Sequence, residues 1–445
     1  MNIPCDIREL LSCLDRAGIR GYIVGGAVRD FLLSREPVDY DIAAECFPEE
    51  LCRAFEGYQY YDTGLRFGTL NVFSGERFVE ITCCRRESGY TDLRRPDTVE
   101  FTRNIREDLA RRDLTINAMA ISAEGKLIDP YGGAGDLESA TIRTVGDAGR
   151  RFSEDALRII RALRFSSCLG FEIEAETARA IHEHRHLLKK VAGERIFEEL
   201  KKLLMGDDVV STLLEYSDVL CTVIPEMEPC VGFEQHNSYH IYTVYEHILR
   251  SVDAAPKDET VRLAMLLHDI GKPAKFFWGD DGRGHFHGHP ELSEKMAEDI
   301  LRRLHADGEC IRRVAFLVKH HDVRPKATRK SIHKYLCRVG FEGARLLLQV
   351  RRADSLAQSP EFFYQLSDLD KTAEIIDMLE KEGACICVSD LAVGGRDIIA
   401  LGAAPGPLIG EVLSSLLLQV ASGGVKNERE PLLRLAKGLL KQANE

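Results

Sequence analysis

Two aspartates one residue apart, Asp39 and Asp41, follow the run Gly25-Gly26-Ala27-Val28-Arg29-Asp30. Alternate residues of a β-strand point to the same face, so a strand over 38–44 aims both carboxylates at one place, about 7 Å apart along the backbone. Such a pair suits hard divalent cations, which take oxygen ligands. The glycines let the backbone approach a phosphate closely, and a helix starting near Val28 turns its free N–H groups toward it. A phosphate clamp beside an acidic metal site is the chemistry of phosphoryl or nucleotidyl transfer. Asp-x-Asp alone also describes an exposed strand end after a turn; the preceding glycines and arginine favour the site.

Two further clusters fit a nucleotide. Asp108-Leu109-Ala110-Arg111-Arg112-Asp113-Leu114-Thr115-Ile116-Asn117-Ala118 reads as a helix ending in two arginines, then Asp, Thr and Asn entering a strand. It offers a cation for a triphosphate and amide and hydroxyl partners for a ribose; an ordinary helix end with cations favouring its dipole reads the same. In the run from Glu154 to Arg164, residues Asp155, Arg158, Arg161 and Arg164 recur at i+3 and form one polar stripe opposite Leu157, Ile160 and Leu163. Asp accepts from an exocyclic amine and Arg donates to ring nitrogens and carbonyls, so the pair can select C and A against U and G without a template. An isolated helix with this stripe is a solvated ladder of ion pairs. Asp129-Pro130-Tyr131-Gly132-Gly133 with Asp136-Leu137 reads as a structural turn into a short helix.

The elements that must position these groups fall into two regimes. The 445 residues suffice for two to four domains with apolar cores, at 44% hydrophobic and 29% charged. The first 142 or so read as mixed α/β: a helix with Ile7, Leu10, Leu11 and Leu14 on one face, then strand-like runs at 22–24, 39–44, 68–73, 77–84 and 118–122. From 143 to 383 the pattern is almost wholly helical, with a helix start at Ser153, a stop at Gly170, a helix over 194–205, and a Pro/Cys connector at 221–230 before a histidine-rich stretch, 236–322. The segment from about Cys385 is Gly-rich, then helical. The net charge of −12 argues against whole-surface nucleic-acid binding, yet 85–112 carries eight arginines against six acids, a local seat for a polyanion. No run of eighteen apolar residues predicts a membrane span and no signal peptide is evident. Thirteen scattered cysteines, Cys83-Cys84 among them as buried small residues, predict reduced thiols in a cytosol.

Taken in order, Gly-Gly-x-Val-Arg-Asp, Asp39-x-Asp41, Arg-Arg-Asp-x-Thr-x-Asn-Ala, Asp-Pro-Tyr-Gly-Gly and Glu-Asp-x-x-Arg resemble the class II tRNA nucleotidyltransferases, the CCA-adding enzymes and their poly(A) polymerase relatives. The match runs over about 20–205. Gly193-Glu194-Arg195-Ile196 is similar to the family's neck motif, and Leu391–Gly395, Gly406-Pro407, Gly410 and Asn427–Glu430 to its tRNA-binding tail. The resemblance implies an α+β chain: a polymerase-β-like nucleotidyltransferase head at 1–142, a helical neck at 143–205 and a helical tRNA-binding body and tail at 356–445. It implies that Asp39 and Asp41 hold two Mg²⁺ ions, with Glu80 a candidate third acid. Gly26 and Arg29 would touch the triphosphate with Arg112 beside it. Asp155 and Arg158 would pair with the base, and Arg161 and Arg164 would line its pocket. The implied partners are tRNA, CTP and ATP, and the implied reaction is in-line displacement at the α-phosphorus, one metal activating the tRNA 3′-hydroxyl and the other stabilising pyrophosphate. Family members add CCA, CC, A or poly(A). The intact loop Arg86–Pro96 favours CCA addition over CC addition, while A addition and poly(A) synthesis stay open. Oligomeric state is not legible.

Shorter family members lack residues like 235–355. Here His268-Asp269 ends an apolar run starting at Val261, His247 lies one helix earlier and Asp354 later. Buried adjacent His and Asp need a partner to offset desolvation, which a metal supplies. The set His247, His268, Asp269, Asp354 resembles the HD phosphohydrolase domain, with an unidentified divalent metal; His289 and His320-His321 are candidates for a second. A helical spacer whose histidines pack or cap is the alternative.

Overall fold

The structure, a computed structural model, describes residues 3–62, 64–90 and 96–444. The middle of the expected Arg86–Pro96 loop, 91–95, lies outside the described residues. The chain divides into two compact units, Met1–Glu228 and Pro229–Glu445.

The first unit is built on a mixed sheet. Among the described residues its seven strands run, edge to edge, Tyr60–Tyr61, Thr69–Ser74, Arg77–Cys83, Asp41–Ala44, Gly21–Val24, Ala120–Ser122 and Leu127–Ile128. Asp41–Ala44 pairs parallel with Arg77–Cys83; the other neighbours are antiparallel. One face carries Ile42, Leu70, Val72, Val79 and Ile81 into the core, where the helix Cys5–Arg16 also buries Ile7, Leu10, Leu11 and Leu14. The strand expected over 38–44 begins only at Asp41, but the alternation survives: Tyr40 and Ile42 are buried and Asp39 and Asp41 open outward. Gly25, at φ 69°, makes the turn from strand Gly21–Val24 into helix Gly26–Leu32, which starts two residues before Val28.

Several expectations are corrected. Arg86–Ser88, read as loop, belongs to a strand, Arg85–Ser88, paired with Thr98–Phe101. Thr115–Asn117 is a 3₁₀ turn, not a strand entry. It is packed so tightly beneath helix Gly133–Glu138 that a Cβ on Gly133 would meet the Thr115 carbonyl oxygen at 2.2 Å. Asp129 caps that helix by accepting from the N–H groups of Gly133 and Ala134 at 2.8 and 2.9 Å. Ser153 starts no helix: it lies inside Ala148–Glu154, which Asp147 caps by accepting from Arg150 N–H at 2.7 Å. The next helix, Leu157–Leu169, begins after a break in which Asp155 is extended (φ −144°, ψ 104°) and accepts from Leu157 N–H at 3.1 Å. Asp155 therefore stands before the arginine-bearing helix, not on it. Gly170 ends that helix in the left-handed region, as expected. The neck helix spans Gly193–Leu204, and the 221–230 connector is partly helical, within Ser217–Val223 and Pro225–Cys230.

The second unit is helical apart from the hairpin Phe277–Trp278/Gly284–His285. Val244–Ala254, Glu259–Leu267 and Gly308–His320 are capped by Thr243, Asp258 and Asp307. Arg329–Leu356 bends at Gly340 (φ 70°) and ends one residue past 355, and its Cys337 packs against the C-terminal core of Ile398, Leu413, Leu416, Leu432 and Ala436. Among the described residues no helix is long and apolar enough to cross a membrane.

The sheet and the neck helices meet at a half-buried ion pair with a testable signature. Arg161 Nε donates to Asp113 Oδ2 at 2.6 Å. Burial alone would raise the Asp113 pKa, but the Arg161 guanidinium outweighs it and holds the carboxyl at about 2. A group whose folded pKa is depressed adds stability above its ordinary value, and that stability is lost as pH falls through the folded value. The pH-dependent stabilisation from Asp113 is then about 2 kcal/mol, present above about pH 4 and lost toward pH 2. Urea unfolding of the wild type and Asp113→Asn across this range should show the stability difference shrinking as pH falls; a pH-independent difference would show that the contact is not ionic.

Candidate active site and metal centre

A cavity of about 640 Å³ opens over the sheet face that carries the acids. Register sets Asp41 directly beside Glu80 on the parallel neighbour, and Asp39 precedes Asp41 on the same side. Asp41 opens into the cavity, yet the protein around it and the nearby Glu80 and Asp39 carboxylates raise its pKa, against the pull of Arg112. Three acids thus share one space. Across from them the wall is cationic. Arg29 is fixed by donating to Asp30 Oδ1 at 2.8 and 2.9 Å and to Asn117 Oδ1 at 2.9 Å. Arg112 follows helix Ile105–Ala110 and reaches Asp108 Oδ2 and the Asn117 carbonyl, both at 3.4 Å. Its Nε is buried without a partner. Between cation and acid lies Gly25, where a Cβ would stand 3.0 Å from Arg112 Nη1 and 3.7 Å from Asp41 Oδ2. Gly26 lines the same cavity.

The neck arginines divide. Arg161 and Arg164 line the cavity with Phe165; all three of Arg29, Arg161 and Arg164 lie over the Phe165 ring, 5.1, 5.8 and 4.1 Å from its centroid. Glu199, on the neck helix, binds Arg164 at 2.9 Å and Arg161 at 3.4 Å. Asp155 and Arg158 do not reach the cavity wall. Asp155 is paired with Arg195 at 2.8 Å, and buried Arg158 binds Glu154 and the Arg111 carbonyl, each at 2.9 Å. Thr115, expected near the ribose, spends its hydroxyl on Asp136 at 2.6 Å, whereas Asn117 does line the cavity. Sequence reasoning missed Phe165 and Glu199. Phe165 stands at i+4 from Arg161, a spacing that brings the two onto one helix face; Glu199 carries no such local signal.

In the second unit His247, His268, Asp269 and Asp354 converge as expected, and His289 and His321 join them; His320 does not, packing on Phe316. Asp269 is shared. Its Oδ2 lies 3.2 Å from His247 Nε2 and 3.1 Å from His268 Nε2, its Oδ1 3.2 Å from His289 Nε2 and 3.5 Å from His321 Nε2. Asp354 Oδ1 is 3.1 Å from His247 Nε2. Each of the four imidazoles has its Nδ1 at 2.7–3.2 Å from a backbone carbonyl, of Ala357, Met265, Phe286 and Val318 in turn. A carbonyl only accepts, so Nδ1 carries the proton and Nε2 turns a lone pair inward. Yet facing Nε2 atoms stand 3.4 Å apart (His247, His268) and 3.2 Å apart (His289, His321). Both Asp269 oxygens are buried without an aligned hydrogen bond, although Lys272 Nζ makes an ion-pair contact of 2.6 Å to Oδ2.

Three family models match this chain: Poly A polymerase head domain at 21–143, a probable RNA- and SrmB-binding site of polymerase A at 170–230, and a putative tRNA nucleotidyltransferase domain 2 at 287–436. The CCA-adding enzyme of Ligilactobacillus salivarius is 33% identical over 99% of this chain and 98% of its own length, and that of Leuconostoc mesenteroides 34% identical over 99% and 97%. The crystal structure of the Bacillus stearothermophilus CCA-adding enzyme in complex with CTP superposes with a TM-score of 0.77 at 27% identity, covering 99% of this chain and 98% of that one. With a third of its residues shared with these relatives over nearly its whole length, the chain belongs to the CCA-adding enzyme family of class II tRNA nucleotidyltransferases.

Proposed function

We infer that this chain is a template-independent tRNA nucleotidyltransferase that builds or repairs the 3′-terminal CCA of tRNA from CTP and ATP, releasing pyrophosphate. The observation that carries the reading is the convergence of Asp39, Asp41 and Glu80 on one cavity with arginines opposite. Carboxylate oxygens crowded together, with the Asp41 pKa pushed up by burial and by its acidic neighbours, are the donor set Mg²⁺ takes. Asp39 and Asp41 hold two such ions, with Glu80 as a third acid. Bound there, the ions supply activation of the tRNA 3′-hydroxyl and charge neutralisation for the departing pyrophosphate. Arg29 and Arg112 receive the triphosphate, and Gly25 and Gly26 leave it room. Arg161, Arg164 and Phe165 line the nucleotide's place. Asp155 and Arg158 read the base once their bonds to Arg195 and Glu154 exchange for its pairing edge, since cytosine and adenine both present an amine beside an acceptor. The relatives' description favours CCA addition over A addition or poly(A) synthesis. All thirteen cysteines are free thiols, which supports a cytosolic setting.

A second reading concerns Pro229–Glu445. Four imidazoles with Nδ1 anchored and Nε2 turned on one another favour cations between them, so we assign an HD-type centre to His247, His268, Asp269 and Asp354, with Asp269, His289 and His321 holding a second ion. Imidazole and carboxylate donors suit Mn, Fe, Ni, Zn or Mg. Ions held there supply Lewis-acid activation for phosphate-ester hydrolysis.

Incubation with tRNA transcripts lacking CCA tests the first reading. CTP alone should add two residues and stop, and CTP with ATP should complete CCA. Asp39→Ala with Asp41→Ala should slow addition at least about a hundredfold. Long A tails from ATP alone would make the chain a poly(A) polymerase instead. For the second reading, elemental analysis after gel filtration should find divalent metal in the full chain and its loss in Asp269→Ala, with circular dichroism unchanged. Equal metal content in both would remove the centre.

A further inference from the structure

The row of residues that contains the acidic pair does not stop at it. Strand register aligns Val24, Asp41, Glu80, Asn71 and Tyr61 across five strands on the open face of the head sheet. Two residues along the same face, Phe73 pairs with Phe78. The Phe78 ring lies 4.9 Å from Tyr61 and 5.0 Å from Phe73, centroid to centroid. Tyr61 is 53% and Phe78 43% exposed, while Val72 and Val79 on the other face are buried. Phe78 precedes Glu80 by two residues, as Asp39 precedes Asp41 on the parallel neighbour, so the aromatic cluster begins where the acids end.

The phosphate-binding groups lie on the opposite side of the acids. Gly25 and Arg29 follow the strand Gly21–Val24, and Arg112 and Asn117 precede Ala120–Ser122. Both strands stand beyond Asp41–Ala44 in the sheet, away from Thr69–Ser74. In-line displacement sets the attacking oxygen opposite the leaving pyrophosphate. With the phosphates on the arginine side, the attacking 3′-hydroxyl enters over Thr69–Ser74 and Arg77–Cys83, where the rings are. That hydroxyl belongs to an unpaired RNA end, and unpaired bases stack on exposed aromatic side chains.

We propose that Tyr61, Phe73 and Phe78 form the shelf on which the 3′-terminal base of the tRNA stacks while its hydroxyl is extended. The inference rests on the nucleotidyl-transfer reading and adds to it a site for the acceptor end. The rings are positioning residues, apart from the triphosphate. Stacking also answers a demand of the reaction: the terminal base changes after each addition, and an aromatic face accepts every base where a hydrogen-bonding pocket would accept one.

Steady-state CTP addition to a tRNA transcript lacking CCA tests this with Phe78→Ala and Tyr61→Ala in the full chain. Each should lower kcat/KM for tRNA about tenfold, leave KM for CTP unchanged, and in Phe78→Trp recover. A transcript whose 3′-terminal nucleotide is abasic should lose as much with the wild type and lose nothing further with Phe78→Ala. An abasic penalty that persists in full in Phe78→Ala overturns the shelf, as does a parallel rise of KM for CTP. Should Phe78→Ala unfold, Tyr61→Ala on the edge strand carries the same comparison. Failure of the unaltered chain to extend any tRNA overturns the transfer reading itself; extension by both alanine variants at the wild-type rate overturns the shelf alone.

Discussion

The parallel pairing of Asp41–Ala44 with Arg77–Cys83 is the constraint on which the head depends. It sets Asp41 beside Glu80, an arrangement that like charges resist. The opposite face of the same two strands explains why it holds. Ile42, Ala44, Val79, Ile81 and Cys83 are buried there, and a slip of one residue would exchange them with the acids. Burying each Ile or Val side chain stabilises by about 1.5–3 kcal/mol, and together they outweigh a repulsion of about 1–4 kcal/mol between carboxylates that still reach water through the cavity. The core thus imposes the convergence, and the convergence creates the demand for cations.

The arginine wall shows the same division of labour with the sign reversed. Arg29 leans on Asp30, Arg111 on Asp108 and Glu87, Arg161 on Asp113 and Glu199, and Arg164 on Glu199. Unpartnered, these guanidinia would repel one another around Phe165. Each acid fixes the direction of a planar donor fork and leaves its remaining N–H groups for a phosphate or base. A chain of net charge −12 can hold a polyanion this way because its cations are concentrated and oriented.

Much of this was legible in the residues, and the reasons for the rest are physical. The alternation around Asp39 and Asp41 depends only on the strand period, so it survived a strand shorter than expected. The helix face of Ile7, Leu10, Leu11 and Leu14 was legible for the same reason. The arginine stripe keeps its helix spacing from Arg158 onward, though only Arg161 and Arg164 line the cavity, and it breaks at Asp155. Asp155 satisfies a helix spacing, but its short carboxylate competes for backbone N–H groups and caps the following helix instead. Ser153 misled in the converse way: a good capping residue, it was outcompeted by Asp147 six residues earlier. The hairpin Arg85–Ser88/Thr98–Phe101 was hidden because Arg85-Arg86-Glu87-Ser88 shows no apolar alternation. Glu199 and Lys272 were invisible as partners because their roles arise from distant segments meeting in space.

The two acidic centres differ in a way that follows from their donors. In the head the ligands are oxygens on an open sheet face, reachable by solvent. Hard ions that arrive with substrate and leave with pyrophosphate suit such a place. In the second unit the donors are mostly imidazoles, each held by a backbone carbonyl at Nδ1 and buried beside a cavity of about 350 Å³, with a carboxylate shared between two groups. Donors so preorganised lose little freedom when they take up a cation. The same element, a carboxylate pressed against its neighbours, therefore stands among oxygens in one unit and among imidazoles in the other. The difference is set by whether a sheet face or a helix bundle surrounds it.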